Sequence, residues 1–162
     1  MKTLIAYYSR TGATRKVAEE LARVLHADVE EIRSERPYRG VFGFLRGGRD
    51  SLRGIRPALE TAKRDPSGYD LVILAGPFWA GHAAPPMRAY LDAHKSGIKR
   101  VGFVLTMAAS EPTIAFAELE AQAGQKPVAK AAILNKQIAH NQFEMAVANF
   151  AGPIRVQEEA VF

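Results

Sequence analysis

The strongest constraint on the fold is an alternation of short apolar segments with stretches whose apolar residues recur at helical spacing. Residues 71–75 and 101–106 are apolar on both faces of a strand, which is typical of parallel strands buried inside a sheet. Val17, Leu21 and Val24 recur at helical spacing, which predicts an amphipathic helix. Because parallel strands need crossover connections, which helices supply, the alternation predicts an α/β fold with a parallel sheet covered on both sides.

The alternation extends along the chain and predicts one domain, residues 1–162, with five strands. The strands are predicted at 3–8, 28–32, 71–75, 101–106 and 128–134. The helices are predicted at 13–26, 87–94, 114–121 and 139–150, and Gly152-Pro153 is expected to stop the last one. The charged second strand is expected at an edge of the sheet.

Residues 34–66 form a long, basic insertion containing Gly and Pro between the second and third predicted strands. Residues 33–64 include nine basic and three acidic residues, although the whole chain carries a net charge of only +5. No strand of normal length is predicted in the insertion, and only a short helix at 51–53. Its aromatic residues and arginines leave four interpretations open: a solvated loop, a cover over the active site, a subunit contact as in a homodimer, or a binding site for a negatively charged cosubstrate.

Composition excludes several classes of protein. The chain contains no cysteine, so a disulfide framework, a thiolate metal site and a cysteine nucleophile are excluded, and redox chemistry would need a bound cofactor. His26, His94 and His140 have no carboxylate or second histidine at ligand spacing, so no metal site is predicted. Without a signal peptide or a run of about 18 apolar residues, the protein is expected to be cytoplasmic and to have no membrane partner. No nucleic-acid partner is expected, because the basic residues cluster in one segment without a nucleic-acid motif.

Ligands of parallel α/β sheets collect beyond the carboxyl ends of the strands, so the segments after the three buried strands form the candidate site. The first segment consists of Ser9, Arg10, Thr11, Gly12, Ala13 and Thr14. It offers three hydroxyls, a glycine and a helix N-terminus, which suit a phosphate group because free backbone N–H groups and the helix dipole point toward it. The alternative is that Ser9 or Thr11 only caps the helix. Neither the P-loop motif nor the glycine motif of dinucleotide-binding folds is present.

Two further segments complete a recognisable pattern. Gly76-Pro77-Phe78-Trp79-Ala80-Gly81 follows the third strand, and Met107-Ala108-Ala109-Ser110 follows the fourth. Together with Ser9-x-Thr11-Gly12-x-Thr14, they resemble the three flavin loops of the flavodoxin family, and the resemblance covers nearly the whole chain. It implies a flavodoxin-like three-layer sandwich, in which a five-stranded parallel sheet in the order 2-1-3-4-5 has helices on both faces.

The resemblance also implies flavin mononucleotide (FMN) as a noncovalent cofactor. Residues 9–14 would hold its phosphate. The residues bordering the isoalloxazine ring would be Pro77, Phe78, Trp79, Ala80 and Gly81, with Met107, Ala108, Ala109 and Ser110 as the third binding segment. Trp79 would stack on the ring, and the alternative is that it packs in the core. A small residue at Ala80 or Gly81 would let a peptide carbonyl rotate toward the flavin N5 atom.

Two departures from the electron-carrier members of the family favour an enzyme. The third loop lacks the aromatic residue that commonly covers one flavin face in the carriers, which leaves that face open to a nicotinamide or a quinone. The sequence pI is near 9.6, whereas carrier flavodoxins are typically acidic. We therefore predict an NAD(P)H-dependent oxidoreductase acting on a quinone or similar acceptor. The alternative is an electron carrier without a substrate of its own. Such a carrier receives its electrons from a reductase and passes them to a protein acceptor.

No catalytic side chain is assigned, because the redox chemistry would take place on the flavin. His82, directly after the second loop, is a candidate for proton transfer, and the alternative is a surface histidine. A flavin-free regulatory domain on the same fold, such as a phospho-receiver, is disfavoured. It needs acidic residues at the ends of the first and third strands, where the sequence has Tyr8-Ser9 and Ala75-Gly76.

Overall fold

The computed structural model describes residues 1–109 and 111–160. Its strands are β1 (Thr3–Tyr7), β2 (Asp28–Glu31), β3 (Leu71–Trp79), β4 (His82–Ala83), β5 (Val101–Met107) and β6 (Lys130–Leu134). Five of them form a parallel sheet in the order β2-β1-β3-β5-β6, which is the predicted order of the five long strands. The two-residue strand β4 pairs antiparallel with the end of β3, so the sheet has six strands rather than five.

Helices cover both faces of the sheet. They are α1 (Ala13–Leu25), α2 (Gly40–Leu52), α3 (Pro85–His94), α4 (Thr113–Ala123), α5 (Asn135–Ala139) and α6 (Glu144–Glu159), with short 3₁₀ helices at Pro66–Gly68 and Lys95–Gly97. The core divides into two clusters because neighbouring strand residues point to opposite faces. Leu4 belongs to the cluster that contains Met87 of α3, and the next residue, Ile5, to the cluster that contains Val17 of α1. The predicted three-layer sandwich is therefore confirmed.

The prediction that residues 34–66 contain only a short helix at 51–53 is wrong. Helix α2 covers 13 residues of that segment. Its glycines conceal it in the sequence, because glycine is a poor helix former. Two of them are needed for packing: a Cβ atom on Gly43 would lie 2.4 Å from the carbonyl carbon of Tyr38, and one on Gly47 would lie 2.9 Å from the Trp79 ring.

Two other predicted boundaries are wrong. Strand β3 continues past Gly76-Pro77 to Trp79, because its last two residues pair with β4 in a hairpin. The last helix does not stop at Gly152-Pro153; α6 begins at Glu144 and continues through Pro153 to Glu159. Ala151 and Ile154, on either side of the proline, are almost completely buried, and their packing offsets the local cost of the proline. Within the described residues, no helix is long and apolar enough to cross a bilayer.

Candidate functional site

A cavity of about 450 Å³ lies at the carboxyl ends of β1, β3 and β5. This volume falls within the range of about 300–1,000 Å³ that is usual for small-molecule sites. The predicted site residues that line it are Ser9, Arg10, Thr11, Ala13, Thr14, Pro77, Phe78, Trp79, Ala80 and Ala108. The three loops, which are far apart in the sequence, thus meet around one cavity.

Four predicted site residues that the structure describes, Gly12, Gly81, Met107 and Ala109, are not among those that line the cavity. Gly12 and Gly81 determine the course of their loops, both with positive φ. Met107 belongs to β5 and is 2% exposed, with its side chain in the core. Ala109 belongs to the third loop and is exposed, and Ser110 lies outside the described residues.

The first loop leaves the N-terminus of α1 open. Gly12 adopts a left-handed conformation with φ of 98°, and its N–H donates to Ser9 Oγ at 3.1 Å. Because the N-cap residue is Gly12, no side chain in the described part of the chain caps α1, and the bond of Ser9 is to the N–H of Gly12 and not to the first turn of the helix. The N–H groups of the first turn and the positive end of the helix dipole therefore face the cavity side of the loop, an arrangement suited to an anion.

A buried pair of hydroxyls connects the first turn of α1 to the end of β5. Thr14 Oγ1 and Thr106 Oγ1 are 2.8 Å apart, and both residues line the cavity although they are almost fully buried. Only one hydroxyl of such a pair donates to the other. The second hydroxyl keeps its proton, which is available for a ligand in the cavity.

Arg10 joins the first loop to helix α2. Its guanidinium donates from Nε to the Tyr38 carbonyl and from Nη2 to the Gly40 carbonyl, both at 3.0 Å. The same group lies over the Phe44 ring, with its central carbon 5.4 Å from the ring centroid. Arg10 therefore fixes the start of α2 beside the cavity and keeps its positive charge there.

The second loop is a two-residue hairpin turn. Ala80 and Gly81 have φ values of 50° and 90° between the paired residues Trp79 and His82, as a type I′ turn requires. Ser51 Oγ of α2 donates to the Trp79 carbonyl at 2.7 Å. The Trp79 carbonyl is thereby held in place, so a peptide rotation in this loop would involve Ala80 or Gly81.

The position of Trp79 is compatible with both roles considered from the sequence, packing in the core and stacking on a flavin ring. Its ring makes edge contacts with Tyr8 and Tyr38, at centroid distances of 5.7 and 5.6 Å, and it lies against Gly47. The residue is half-buried and also lines the cavity. Core contacts thus hold one side of the indole while another side borders the candidate site.

Sequence reasoning missed five cavity-lining residues: Phe44, Leu45, Gly48, Thr106 and Asn135. The first three come from α2, so one wall of the cavity is a helix that was not predicted. Val41, Phe44, Leu45 and Leu52 do recur at helical spacing, and this was the available signal. The third loop indeed has no aromatic residue, but Phe44 supplies an aromatic ring to the cavity from another segment.

The charge around the cavity is positive. No acidic residue is among its lining residues in the described chain, whereas Arg10 is. Burial raises the pKa of Tyr8 to about 12, against the lowering effects of Arg10 and Arg46. Burial also raises the pKa of Tyr38, which donates a hydrogen bond to Asp50. Both tyrosines are therefore neutral at physiological pH, and the cavity favours an anion.

His82 lies outside the cavity lining. Its Nδ1 atom is 2.7 Å from Glu118 Oε2, which connects β4 to α4. This contact positions the end of the second loop, and proton transfer by His82 stays a prediction. Within residues 1–109 and 111–160, no group of three or more metal-binding side chains is present.

A larger cavity of about 1040 Å³ lies between β2, the segment 56–64 and α3. None of the residues that line it belongs to the three loops, and it sits at the edge strand rather than at the carboxyl ends of the central strands. The smaller cavity is therefore the candidate functional site.

Comparison with known proteins identifies the family. Residues 2–150 match the model of a protein family described as Flavodoxin. The chain therefore belongs to the flavodoxin family, which confirms the family predicted from its loops. No curated protein shows significant sequence similarity to it.

Solved structures with the same fold include several flavoproteins. A flavoprotein from Lactobacillus acidophilus in complex with FMN is 22% identical with a TM-score of 0.68, over 86% of this chain and 97% of that one. A WrbA-like flavodoxin from Agrobacterium tumefaciens is 17% identical with a TM-score of 0.63, over 98% of both chains. The apo form of an NADH:FMN oxidoreductase is 17% identical with a TM-score of 0.54, over 93% of this chain and 88% of that one. The family and the FMN in the first of these structures agree with the predicted cofactor.

Proposed function

We propose that the protein binds FMN in the cavity at the ends of β1, β3 and β5 and acts as an NAD(P)H-dependent oxidoreductase on a quinone or similar acceptor. The cofactor part rests on membership of the flavodoxin family and on the meeting of the three loops around one cavity. The enzyme part rests on the electrostatics of the site and is the part that needs a decisive experiment.

The lining of the cavity fits the two ends of FMN. At one end, the open N-terminus of α1 and the hydroxyls of Ser9, Thr11 and Thr14 supply hydrogen-bond donors suited to a phosphate. At the other end, Pro77, Phe78 and Trp79 offer apolar and aromatic surface suited to a flat ring system. A single cavity thus combines the donors and the apolar walls that this cofactor requires.

When bound, FMN supplies two-electron chemistry, in which NAD(P)H, a proton and a quinone become NAD(P)⁺ and a quinol. The chain positions the cofactor and sets its surroundings. Arg10 brings positive charge to the site, and the β3–β4 hairpin presents Ala80 beside the place proposed for the ring. Phe44 and Leu45 of α2 provide apolar surface along one side of the cavity.

The observation that carries the enzyme proposal is the positive charge around the cavity. Nicotinamide nucleotides carry phosphates, and a positive site attracts them. The lining of the cavity has no acidic residue in the described chain, and α2, which forms one wall, lies within the basic segment 33–64. An NADH:FMN oxidoreductase has the same fold, so the fold is compatible with this chemistry.

The test begins with the purified protein loaded with FMN. Flavin absorption after addition of FMN and gel filtration is expected, and a protein that retains no FMN would contradict the cofactor part. NADPH, NADH and a soluble quinone are then added without any other protein, and nicotinamide absorption is followed. Multiple turnovers support an oxidoreductase. A protein that keeps its flavin but turns over only after a reductase is added would instead be an electron carrier.

A variant links turnover to the proposed site. Thr14→Val removes a hydroxyl from the cavity, and we expect weaker FMN retention with a proportional loss of turnover. Thr61→Val is the same substitution at an exposed position and serves as the control, because Thr61 lines the larger cavity at the sheet edge and not the candidate site. Equal losses in the two variants would argue against the cavity at the carboxyl ends of the strands.

A further inference from the structure

A second concave surface lies along helix α2. This groove of about 430 Å³ is lined by the side chains of Arg36, Arg39, Arg46 and Arg49 and by the apolar residues Pro37, Phe42 and Leu45. No acidic residue is among its lining residues in the described chain. An apolar floor surrounded by guanidinium groups suits a ligand with a flat ring and phosphates.

The four arginines are not equivalent. Arg49 donates to Asp50 Oδ1 through two nitrogens, at 3.0 and 2.7 Å, and Arg46 Nε is 4.0 Å from the same carboxylate. Asp50 is 5% exposed and also accepts a hydrogen bond from the Tyr38 hydroxyl. Arg46 and Arg49 therefore balance the charge of a buried carboxylate. Arg36 and Arg39 are exposed, and among residues 1–109 and 111–160 neither side chain has a carboxylate partner within 4.0 Å. Their charges are free for a ligand.

The groove is continuous with the candidate cofactor site. Leu45 lines both the groove and the cavity, so a single side chain separates them. A third hollow of about 380 Å³ shares Pro37 and Arg39 with the groove and Ser9 and Arg10 with the cavity. The lining of this hollow includes four arginines, Arg10, Arg15, Arg33 and Arg39, and two carboxylates, Glu31 and Glu60, so its net charge is positive. A ligand whose reactive ring lies in the cavity could therefore extend its other end through the hollow to Arg36 and Arg39.

We infer that this groove binds the phosphate-bearing adenosine end of the nicotinamide nucleotide, which makes NADPH the preferred donor. The inference rests on the proposed function for the donor's reactive end. Phe42, 88% exposed, offers a ring for stacking with the adenine. Arg36 and Arg39 pair with the 2′-phosphate, which NADPH has and NADH lacks. Arginine suits this role because its planar group donates two hydrogen bonds to one phosphate.

The experiment compares the double variant R36Q/R39Q with R53Q. Arg53 is also exposed, lies at the end of α2 and has no carboxylate within 4.0 Å in the described chain, but it does not line the groove. Binding of adenosine 2′,5′-bisphosphate and of adenosine 5′-monophosphate to the FMN-loaded proteins is measured by calorimetry. We expect the bisphosphate to bind the unaltered protein about tenfold or more tightly than the monophosphate, and R36Q/R39Q to lose about that factor. R53Q should retain the unaltered affinity within about twofold.

Flavin reduction under anaerobic conditions gives an independent readout. R36Q/R39Q should need about tenfold more NADPH for half-maximal reduction, whereas reduction by 1-benzyl-1,4-dihydronicotinamide, which has no phosphate, should be unchanged. Circular dichroism verifies that the variant is folded. Unchanged bisphosphate binding in R36Q/R39Q, or the same loss in R53Q, would overturn the inference.

The groove and the proposed function can fail separately. If the unaltered protein binds the bisphosphate through Arg36 and Arg39 but NADPH does not reduce its flavin, the groove stands and the proposed oxidoreductase is wrong. If NADPH reduces the flavin of R36Q/R39Q as readily as that of the unaltered protein, the oxidoreductase stands and the groove does not bind the donor.

Discussion

The two walls of the cavity differ in how they are built. The first wall consists of the loop 9–14 together with Thr106, and it depends on backbone N–H groups, hydroxyls and one left-handed glycine. The opposite wall is helix α2, which is held by side chains: Arg10 bonds to carbonyls at its start, and Ser51 bonds to the Trp79 carbonyl at its end. The first wall contains the motif that resembles the family's phosphate loop, whereas the second lies within the long basic segment 33–64.

This difference indicates a division of roles. A wall made of backbone donors recognises a common chemical group, here proposed to be a phosphate. A wall made of packed side chains takes its shape from the identity of those side chains, although Arg10 of the first wall contacts the start of α2. We therefore expect substitutions in α2 to alter the shape of that side of the cavity and the preference for NADPH over NADH. Substitutions in the first wall should alter the retention of FMN.

The largest effect is expected from Gly43→Ala in the α2 wall. The new Cβ would lie 2.4 Å from the backbone of Tyr38, which cannot move aside, so α2 must shift. We expect a loss of about 3 kcal/mol in the free energy of unfolding, measured by urea denaturation. Gly48→Ala is the control, because a Cβ there meets nothing within 4 Å, and it should stabilise α2 by about 0.5 kcal/mol or more. Equal effects at the two positions would show that the close contact between Gly43 and the Tyr38 backbone does not determine the position of α2.

Alkaline pH tests Tyr8, which packs against Trp79 between the two walls. Burial raises its pKa in the folded protein to about 12, so the folded state holds the phenolic proton more tightly than the unfolded state does. The contribution of Tyr8 to the free energy of unfolding is therefore fully present below pH 10. It is lost as the pH rises through 12, and the loss is at most about 3 kcal/mol. Tyr8→Phe should remove part of this decline, and other buried tyrosines such as Tyr38 should account for the remainder. An identical alkaline decline in the variant is the contrary result.

The first wall is tested by a double-mutant cycle on its buried hydroxyl pair. Thr14→Val leaves the Thr106 hydroxyl buried without a partner, and Thr106→Val does the same to Thr14, at a cost of about 2 kcal/mol each in unfolding free energy. The double variant should lose less than the sum of the two, because no unpaired hydroxyl remains. If the losses of the two single variants added up strictly to that of the double variant, the 2.8 Å contact would not be a stabilising hydrogen bond. FMN affinity should fall in all three proteins, which separates this wall from α2.

The smallest effect is expected in the hairpin turn between the walls. Ala80 has a φ of 50°, which a side chain disfavours by about 1 kcal/mol. Ala80→Gly should therefore raise the free energy of unfolding by about that amount or slightly less. Gly81→Ala, at a φ of 90°, is the opposite change and should be destabilising. Thermal unfolding of the two variants measures whether each change stabilises or destabilises the protein. A destabilised Ala80→Gly protein would contradict the inference that the backbone at Ala80 is strained.

The loop 9–14 of the first wall could be predicted from the sequence because its features are local, whereas Thr106 of the same wall was missed. A turn glycine, hydroxyls and a helix start occur within six consecutive residues, and the preceding strand fixes where they lie. Helix α2 was missed because its glycines argue against a helix unless one knows that Tyr38 and Trp79 pack against them. Asn135 could not be predicted either, since it reaches the cavity only because β6 lies beside β5 in the folded sheet. Long-range packing, rather than any motif, determines these residues.

The hydroxyl pair of Thr14 and Thr106 joins positions that are 92 residues apart in the chain. The cavity consequently does not exist in a nascent chain until β5 has been synthesised and has paired with β3. A chain truncated before residue 101 would contain the complete segment 9–14, proposed to hold the phosphate, and still lack the third side of the pocket. Retention of cofactor is therefore a measure of folding quality, and the ligand adds its binding free energy only to molecules that have completed the sheet.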